Sequence, residues 1–184
     1  MAKSTTFLLR TGSAPGMQLA HAGRKASTYR PWSGVGVVGP EDGGWTAVGP
    51  TVEPFAANYP TPHALDVGEI HTIVEAFAQA ARRAHAAGIE VIEIHAAHGY
   101  LVHEFLSPMS NTRTDQYGGS FENRTRLCRE IVDAVRAVWP GATPLEVEGC
   151  QALRRALAQP GDDASLQAAG APAHAGQRHA LPQD

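Results

Sequence analysis

The sequence has few cysteines, no excess of basic charge and no long apolar run, and each absence excludes a class of protein. Its two cysteines, Cys128 and Cys150, are widely separated and lack a Cys-x-x-Cys or Cys-His spacing, so neither a disulfide framework nor a zinc site is predicted. Lys and Arg total 15 against 18 Asp and Glu, a net charge of -3. We therefore expect no nucleic acid and no anionic membrane as a partner.

The apolar segments are too short for a membrane helix, which needs roughly 20 residues. The first 21 residues contain only a short Phe-Leu-Leu stretch, which is too little for the apolar part of a secretory signal. The sequence therefore predicts a cytoplasmic protein. Its hydrophobic content of 43% is ordinary for a globular core.

Strand-like and helix-like segments alternate from residue 17 to residue 144. Residues 17–21 and the β-branched run 89–95 predict two strands, and residues 145–147 lie where a third belongs. Asp66 and Glu69 have capping-box spacing and predict a helix that ends at Gly88. Ser120 can cap a second helix that ends at Trp139. This alternation indicates an α/β protein with parallel strands, and either a barrel or an open sheet satisfies it.

Three other segments lack this alternation. Residues 1–16 have no clear period and predict a poorly ordered lead-in. The Gly- and Pro-rich residues 27–66 form a long excursion whose Trp32 and Trp45 favour an ordered, lid-like loop. Residues 148–184, rich in Ala and Gln, predict an unrelated, disordered tail.

The residues best suited to chemistry follow the second predicted strand. His95, His98 and Tyr100 come at its carboxyl end, where barrel enzymes place their active sites. Imidazole N–H groups can donate to a carbonyl or nitro oxygen, and a phenol can donate a proton to a developing carbanion.

Other interpretations of these histidines stay open. His95 and His98, with His103 and Glu104 nearby, could belong to a metal site, but their spacing matches no common ligand pattern. We therefore predict no metal ligands. Judged on residue type alone, histidines hydrogen-bonded within a core are the more common arrangement.

Residues 34–39, GVGVVG, formally match the dinucleotide fingerprint G-x-G-x-x-G. That fingerprint must follow a strand and open a helix. Here RPWS precedes the match and PEDGG follows it, so we interpret it as chance in a glycine-rich loop.

Four ordered motifs carry a resemblance to a known family. They are QLAHAGRK at 18–25, IEIHAAHGYL at 92–101, HEFLSP at 103–108 and SNTRTDQYGGSFENR at 110–124. In order and spacing they closely resemble the Old Yellow Enzyme family, and the bacterial NADPH dehydrogenase branch most of all. The resemblance spans about residues 17–144.

The resemblance implies an FMN-containing TIM barrel that takes hydride from NADPH or NADH and delivers it to an activated alkene, or to a quinone. It implies that Gln18 hydrogen-bonds the flavin pyrimidine edge and that His95 and His98 hold the substrate oxygen, with Ala96 and Ala97 in the same binding stretch. Tyr100 would be the proton donor. Most residues of 110–124 would have structural roles. By analogy with family members, a homo-oligomer is also expected.

The sequence departs from the family at its third strand. Glu148 occupies the position of an arginine that faces the flavin N1 and O2 atoms, and an anion there would oppose the charge that the reduced flavin carries. About three of the eight barrel strands have counterparts in this chain. We therefore expect a partial barrel that is truncated, binds FMN weakly and has reduced activity. The alternative expectation is an inactive fragment that acts as an interaction or complementation partner.

Overall fold

The computed structural model describes residues 2–30 and 32–149 of the chain. Four α-helices, two short 3₁₀ turns and five strands follow one another within these ranges. In chain order they are α1 (Ala2–Arg10), β1 (Gly16–Leu19), the turns Gly23–Lys25 and Pro40–Asp42, β2 (Val48–Gly49), β3 (His63–Ala64), α2 (Val67–Ala86), β4 (Val91–His95), α3 (Leu101–Leu106), α4 (Phe121–Arg136) and β5 (Leu145–Glu148).

The two long helices begin where their capping residues predict. Asp66 accepts from the Glu69 amide at 2.8 Å and the Glu69 carboxylate accepts from the Asp66 amide at 2.8 Å, which completes a capping box at α2. Gly88 follows the last turn of α2 with φ +82°, a conformation that glycine adopts without strain. Ser120 caps α4 through the Asn123 amide.

Three parallel strands form the main sheet, in the order β1-β4-β5. Gln18 lies beside Glu93 on β4, and His95 of β4 lies beside Glu148 of β5. Each pair of neighbouring strands is joined through a long helix, because α2 lies between β1 and β4 in sequence and α4 lies between β4 and β5. The carboxyl ends of all three strands therefore lie at one edge of the sheet.

The two faces of this sheet differ in chemistry because side chains alternate along a strand. One face is apolar and packs against α2 and α4, and at about 25 cal/mol per Å² such burial is the main stabilising term. Its buried members on the strands are Leu19, Ile92, Ile94, Leu145 and Val147, and they pack in one cluster with Phe77, Ala81, Leu127, Ile131 and Val135 of the helices. The opposite face carries polar residues.

Two helices lie in segments for which no helix was predicted. Residues 1–16 were predicted to be a poorly ordered lead-in, and within them α1 occupies Ala2–Arg10, a segment too short for its helical period to stand out in the sequence. No helix was predicted within the family-like stretch after Tyr100, yet α3 forms there. Its six residues are too few for a sequence period to reveal.

The long excursion contains the β2–β3 parallel pair and an antiparallel bridge between Thr28 and Val37. Its tryptophans do not anchor it, because Trp32 and Trp45 are 81% and 64% exposed. Residues 34–39 lie in this loop and are followed by a three-residue 3₁₀ turn, so the motif has neither the strand before it nor the α-helix after it that the dinucleotide fingerprint requires.

The chain beyond β5 is largely outside the described residues. Glu148, the first residue of the predicted tail, belongs to β5, and the rest of that prediction falls on residues 150–184, which lie outside the described part. Cys128 is buried in the core, whereas Cys150 lies outside. None of the helices in residues 2–30 and 32–149 is long and apolar enough to cross a membrane.

Candidate active site

The polar face of the sheet gathers the predicted site residues at the carboxyl ends of its strands. Gln18 is exposed there, and its Nε2 donates to Glu148 Oε2 at 3.0 Å and also to Glu93 Oε1. Strand register places Glu93 beside Gln18 and Glu146, and His95 beside Glu148. The amide of Gln18 therefore bridges two carboxylates from neighbouring strands.

His95 and His98 face each other across this site. Their rings stack with centroids 5.2 Å apart and planes inclined by 28°. His95 is 4% exposed, and its Nδ1 hydrogen-bonds Glu148 Oε2. His98 Nδ1 lies 3.9 Å from the other oxygen of Glu148, and its side chain is 70% exposed. One histidine is thus fixed in the sheet and the other is open to approach.

Tyr100 completes the cluster of rings. Its ring meets that of His95 edge to face, with centroids 5.0 Å apart and an angle of 72°. Ala96 is buried and its amide donates to the Glu148 carbonyl at 2.7 Å, which continues the β4–β5 ladder past His95. Ala97 is half-buried in the turn that leads to His98. His95, His98 and Tyr100 thus form one cluster of rings, and Ala96 and Ala97 lie in the chain between the two histidines.

The loop that carries His98 has an uncommon backbone conformation. His98 has φ +57° and Gly99 has φ +72°, and a non-glycine residue in this region is often found at functional sites. Lys25 Nζ donates to the His98 carbonyl at 2.7 Å, and the Gly99 amide donates to His103 Nδ1 at 2.9 Å. The side chain of His103 therefore supports the loop, and the metal set of His95, His98 and His103 is not assembled among the described residues.

Glu104 lies buried under the same loop, 1% exposed. Its Oε1 accepts from the Arg24 amide at 3.0 Å, while Oε2 has no hydrogen-bond partner among the described residues. Burial raises the pKa of this carboxyl from 4.5 to about 7, against the opposing effect of the Arg24 hydrogen bond. A buried carboxyl whose pKa lies near physiological pH is therefore present under the loop.

An aromatic residue of the excursion reaches this region. Lys25 Nζ lies 4.1 Å from the centroid of the Phe55 ring, a cation–π contact. Arg24 Nη1 donates to the Glu53 carbonyl at 3.1 Å. These contacts attach residues 53–55 to the segment after β1, so the excursion borders the site through Phe55 and not through its tryptophans.

The motif at residues 110–124 uses its polar side chains internally. Buried Asn111 donates through Nδ2 to the carbonyls of Phe105 and Tyr117, at 2.7 and 2.8 Å. Arg124 Nε donates to the Leu106 carbonyl at 2.9 Å. These bonds join the end of α3 to residues 111–124, which lead into α4.

Sequence reasoning missed the contacts between strands. Glu148 was recognised as a departure from the family, but its contact with His95 and its proximity to His98 were not predicted. Neither the Gln18 contact with Glu93 nor the support from Lys25 was predicted. The register of β4 against β5 places His95 beside Glu148. A single sequence does not state which residues of two strands are paired, so this contact could not be predicted.

The comparisons with known proteins agree with this fold and site. Residues 7–141 match the NADH:flavin oxidoreductase / NADH oxidase family, and this chain belongs to that family. The match begins ten residues before the predicted start of the resemblance. The name of the family specifies a flavin and NADH, in agreement with the predicted cofactors, FMN with NADPH or NADH.

Two curated relatives are each 48% identical to this chain. One is an NADH:flavin oxidoreductase of Gibberella zeae, matched over 147 residues that make up 78% of this chain and 36% of the relative. The other is an NADPH dehydrogenase of Bacillus licheniformis, matched over 141 residues, 77% of this chain and 37% of the relative. The chain thus spans little more than a third of the length of these relatives.

Solved structures confirm the predicted fold class. Morphinone reductase superposes with a TM-score of 0.66 at 32% identity, over 79% of this chain and 41% of that one. A 2-naphthoyl-CoA reductase complex superposes with a TM-score of 0.66 at 29% identity, over 79% of this chain and 22% of that one. The α/β structure is a partial TIM barrel of the Old Yellow Enzyme type, with three barrel strands in β1, β4 and β5.

The described residues fit a flavin at one position and conflict with it at another. The Gln18 amide offers both a donor and an acceptor, which suits the alternating carbonyl and N–H groups of a pyrimidine edge. Glu148 offers acceptors only when ionised, and it already engages Gln18 and His95. A flavin whose carbonyl oxygen faced Glu148 would find no hydrogen-bond donor on that side chain.

Proposed function

We propose that this chain contributes the substrate-binding part of an FMN-dependent NAD(P)H oxidoreductase that reduces activated alkenes or quinones. The observation that carries the proposal is the convergence of His95, His98 and Tyr100 at the carboxyl end of β4. The ring centroid of His95 lies 5.2 Å from that of His98 and 5.0 Å from that of Tyr100. Two imidazole donors beside one phenol suit a substrate that gains electron density on an oxygen and a proton on a carbon.

Each residue has a specific role in this proposal. His95 and His98 donate to the carbonyl or nitro oxygen of the substrate, while Ala96 and Ala97 bound the space beside it. The Tyr100 hydroxyl donates its proton to the carbon next to the one that receives hydride. Gln18 holds the pyrimidine edge of FMN, which when bound supplies the hydride that it takes from NADPH or NADH.

In the proposal this activity depends on the charge of Glu148 and on barrel strands beyond those described. A carboxylate at Glu148 repels negative charge on the flavin, which weakens binding of its reduced form. The chain spans 36% and 37% of its curated relatives, so we infer that flavin retention requires barrel strands in addition to β1, β4 and β5. Self-association could supply such strands, and we propose a homo-oligomer as one route.

The test is flavin retention followed by turnover. The purified chain is incubated with FMN, desalted and examined for yellow absorbance, and NADPH-driven reduction of 2-cyclohexenone is then measured. Glu148→Arg, which restores the family residue, is expected to raise the retained flavin. Tyr100→Phe is expected to retain as much flavin as its parent and to lose turnover. Turnover that is unchanged in Tyr100→Phe would overturn the role assigned to the tyrosine.

A second candidate function is that of a complementation partner without activity of its own. A groove beside β1 favours it: Met17, Leu19, Ile73, Phe77 and Ala80 line a space of about 460 Å³ between β1 and α2, here called the β1–α2 groove. Among the described residues β1 pairs only with β4, so its other edge is unpaired. We infer that the occupant is a strand and helix of a second polypeptide that extends the barrel.

Complementation can be tested with a relative. The chain is co-expressed with the parts of the Bacillus licheniformis NADPH dehydrogenase that lie outside its matched 141 residues. Co-purification of the segments with bound flavin supports complementation. If the segments fail to co-purify with the chain and with its Glu148→Arg variant, the second candidate is excluded.

A further inference from the structure

Three side chains that can bind a metal converge at the carboxyl end of the sheet. They are His95, His98 and Glu148, and one possible ligand atom from each lies within 4.8 Å of the other two. His95 is on β4, Glu148 is its register partner on β5, and His98 is on the loop that follows β4. Two imidazoles and one carboxylate are a set that catalytic zinc sites use, with a fourth position open to water or substrate.

We propose that His95, His98 and Glu148 form a binding site for a divalent transition-metal ion, and that Zn²⁺ fits the set best. Imidazole ligands favour zinc, copper, nickel and iron over Mg²⁺ and Ca²⁺, which prefer oxygen ligands. The proposal needs only these three side chains and no bound flavin, and an ion there would occupy the imidazoles that the proposed function assigns to the substrate oxygen.

Binding of an ion requires a rearrangement of these three side chains. Zinc bonds of about 2.0–2.1 Å in a tetrahedron place ligand atoms roughly 3.4 Å apart. The side chains of His95 and Glu148 are 5% and 33% exposed, whereas that of His98 is 70% exposed. The exposed imidazole can move inward, whereas the hydrogen-bonded Nδ1 of His95 and Oε2 of Glu148 lie closer together than two ligands of one ion and must separate to admit it.

The backbone holds the three side chains close together. The Ala96 amide donates to the Glu148 carbonyl at 2.7 Å, which fixes β5 beside the end of β4. His98 keeps φ +57°, and its carbonyl accepts from Lys25 Nζ at 2.7 Å. His95 hydrogen-bonds one oxygen of Glu148, and the backbone of His98 places a second imidazole 3.9 Å from the other oxygen of the same carboxylate.

Charge on this face also favours a cation. Strands β1, β4 and β5 carry the three carboxylates Glu93, Glu146 and Glu148 and contain no Lys or Arg. Gln18 is neutral and donates one amide group to both Glu93 and Glu148. A divalent cation at Glu148 offsets the repulsion between neighbouring carboxylates.

The test is a titration of the full chain with Zn²⁺ by isothermal calorimetry after removal of metal with a chelator. We expect one ion per chain at this site. His98→Ala and Glu148→Gln should each weaken it by at least about tenfold, since removing a group that merely orients a ligand already costs about 10- to 100-fold. Glu146→Gln removes the same charge from the same strand and face outside the cluster, and should bind as the parent does.

Co²⁺ titration followed by visible absorbance provides a second measurement, because a tetrahedral ion gives intense bands that an octahedral hydrated ion lacks. His98→Ala removes an exposed side chain, so it carries the test even if Glu148→Gln unfolds, which circular dichroism would reveal. Absence of Zn²⁺ binding, equal affinity in the parent, His98→Ala and Glu148→Gln, or an equal loss in Glu146→Gln would each overturn the proposal.

Discussion

At the scale of single residues, Glu104 couples the site to pH. Below about pH 4.5 its carboxyl is protonated whether the chain is folded or unfolded. Between 4.5 and about 7 the unfolded chain releases the proton and the folded chain keeps it, so the free energy of unfolding falls as pH rises through this range. Above about 7 the loss is complete and the curve is flat again.

We expect Glu104→Gln to remove this pH dependence. The shift corresponds to a loss on the order of 3 kcal/mol between the two ends of the range. Urea unfolding at a series of pH values measures it, and Glu122→Gln on the exposed start of α4 is the matched control. If Glu104→Gln retains the slope of the parent, the carboxyl is not the group responsible.

Gly23 is required beside that carboxyl for two reasons. It has φ +60°, and a Cβ added there would lie 2.2 Å from Glu104 Oε1. We expect Gly23→Ala to lower the free energy of unfolding by about 3 kcal/mol, the sum of backbone strain and overpacking.

Gly12→Ala separates these two contributions. Gly12 has φ +76°, but nothing lies within 4 Å of its added Cβ, so only the strain of about 1–2 kcal/mol applies. Equal losses in the two variants, measured by urea unfolding, would exclude the steric contribution of Glu104.

At the scale of elements, the capping box predicts a measurable contribution to α2. Asp66→Ala removes the acceptor of the Glu69 amide, and we expect a loss of about 1 kcal/mol. Glu75→Ala on the same helix breaks an ion pair with Arg82 whose side chains are 60% and 50% exposed, and should cost about 0.5 kcal/mol or less. Thermal unfolding that ranks the two in the opposite order would contradict the capping argument.

Elements were predicted well where a local signal was long or chemically specific. The capping box at Asp66, the N-cap Ser120 and the glycine at 88 define the ends of helices through contacts within a few residues. Helices α1 and α3 were missed because nine and six residues are too short for a period to show. Tertiary packing decides whether such short segments become helical.

At the scale of the whole molecule, the β1–α2 groove exposes apolar surface that a complete barrel would cover. We expect the chain to bind the dye ANS in the native state, and Ile73→Lys to reduce its fluorescence because the charge enters the groove. Gln79→Lys places the same charge on an exposed part of α2 outside the groove. An equal decrease in both variants would show that the dye binds elsewhere.

The sequence by itself determined the α/β class, the long helices, the family and the residues after β4, because each depends on local pattern or on motifs that neighbouring residues carry. Only the tertiary structure decided that Glu148 lies against His95 and near His98, and that Gln18 bridges Glu93 and Glu148. These contacts join residues 50 or more positions apart, and they depend on strand register, which long-range packing selects. The chemistry of the metal site proposed here therefore follows from the pairing of β4 with β5.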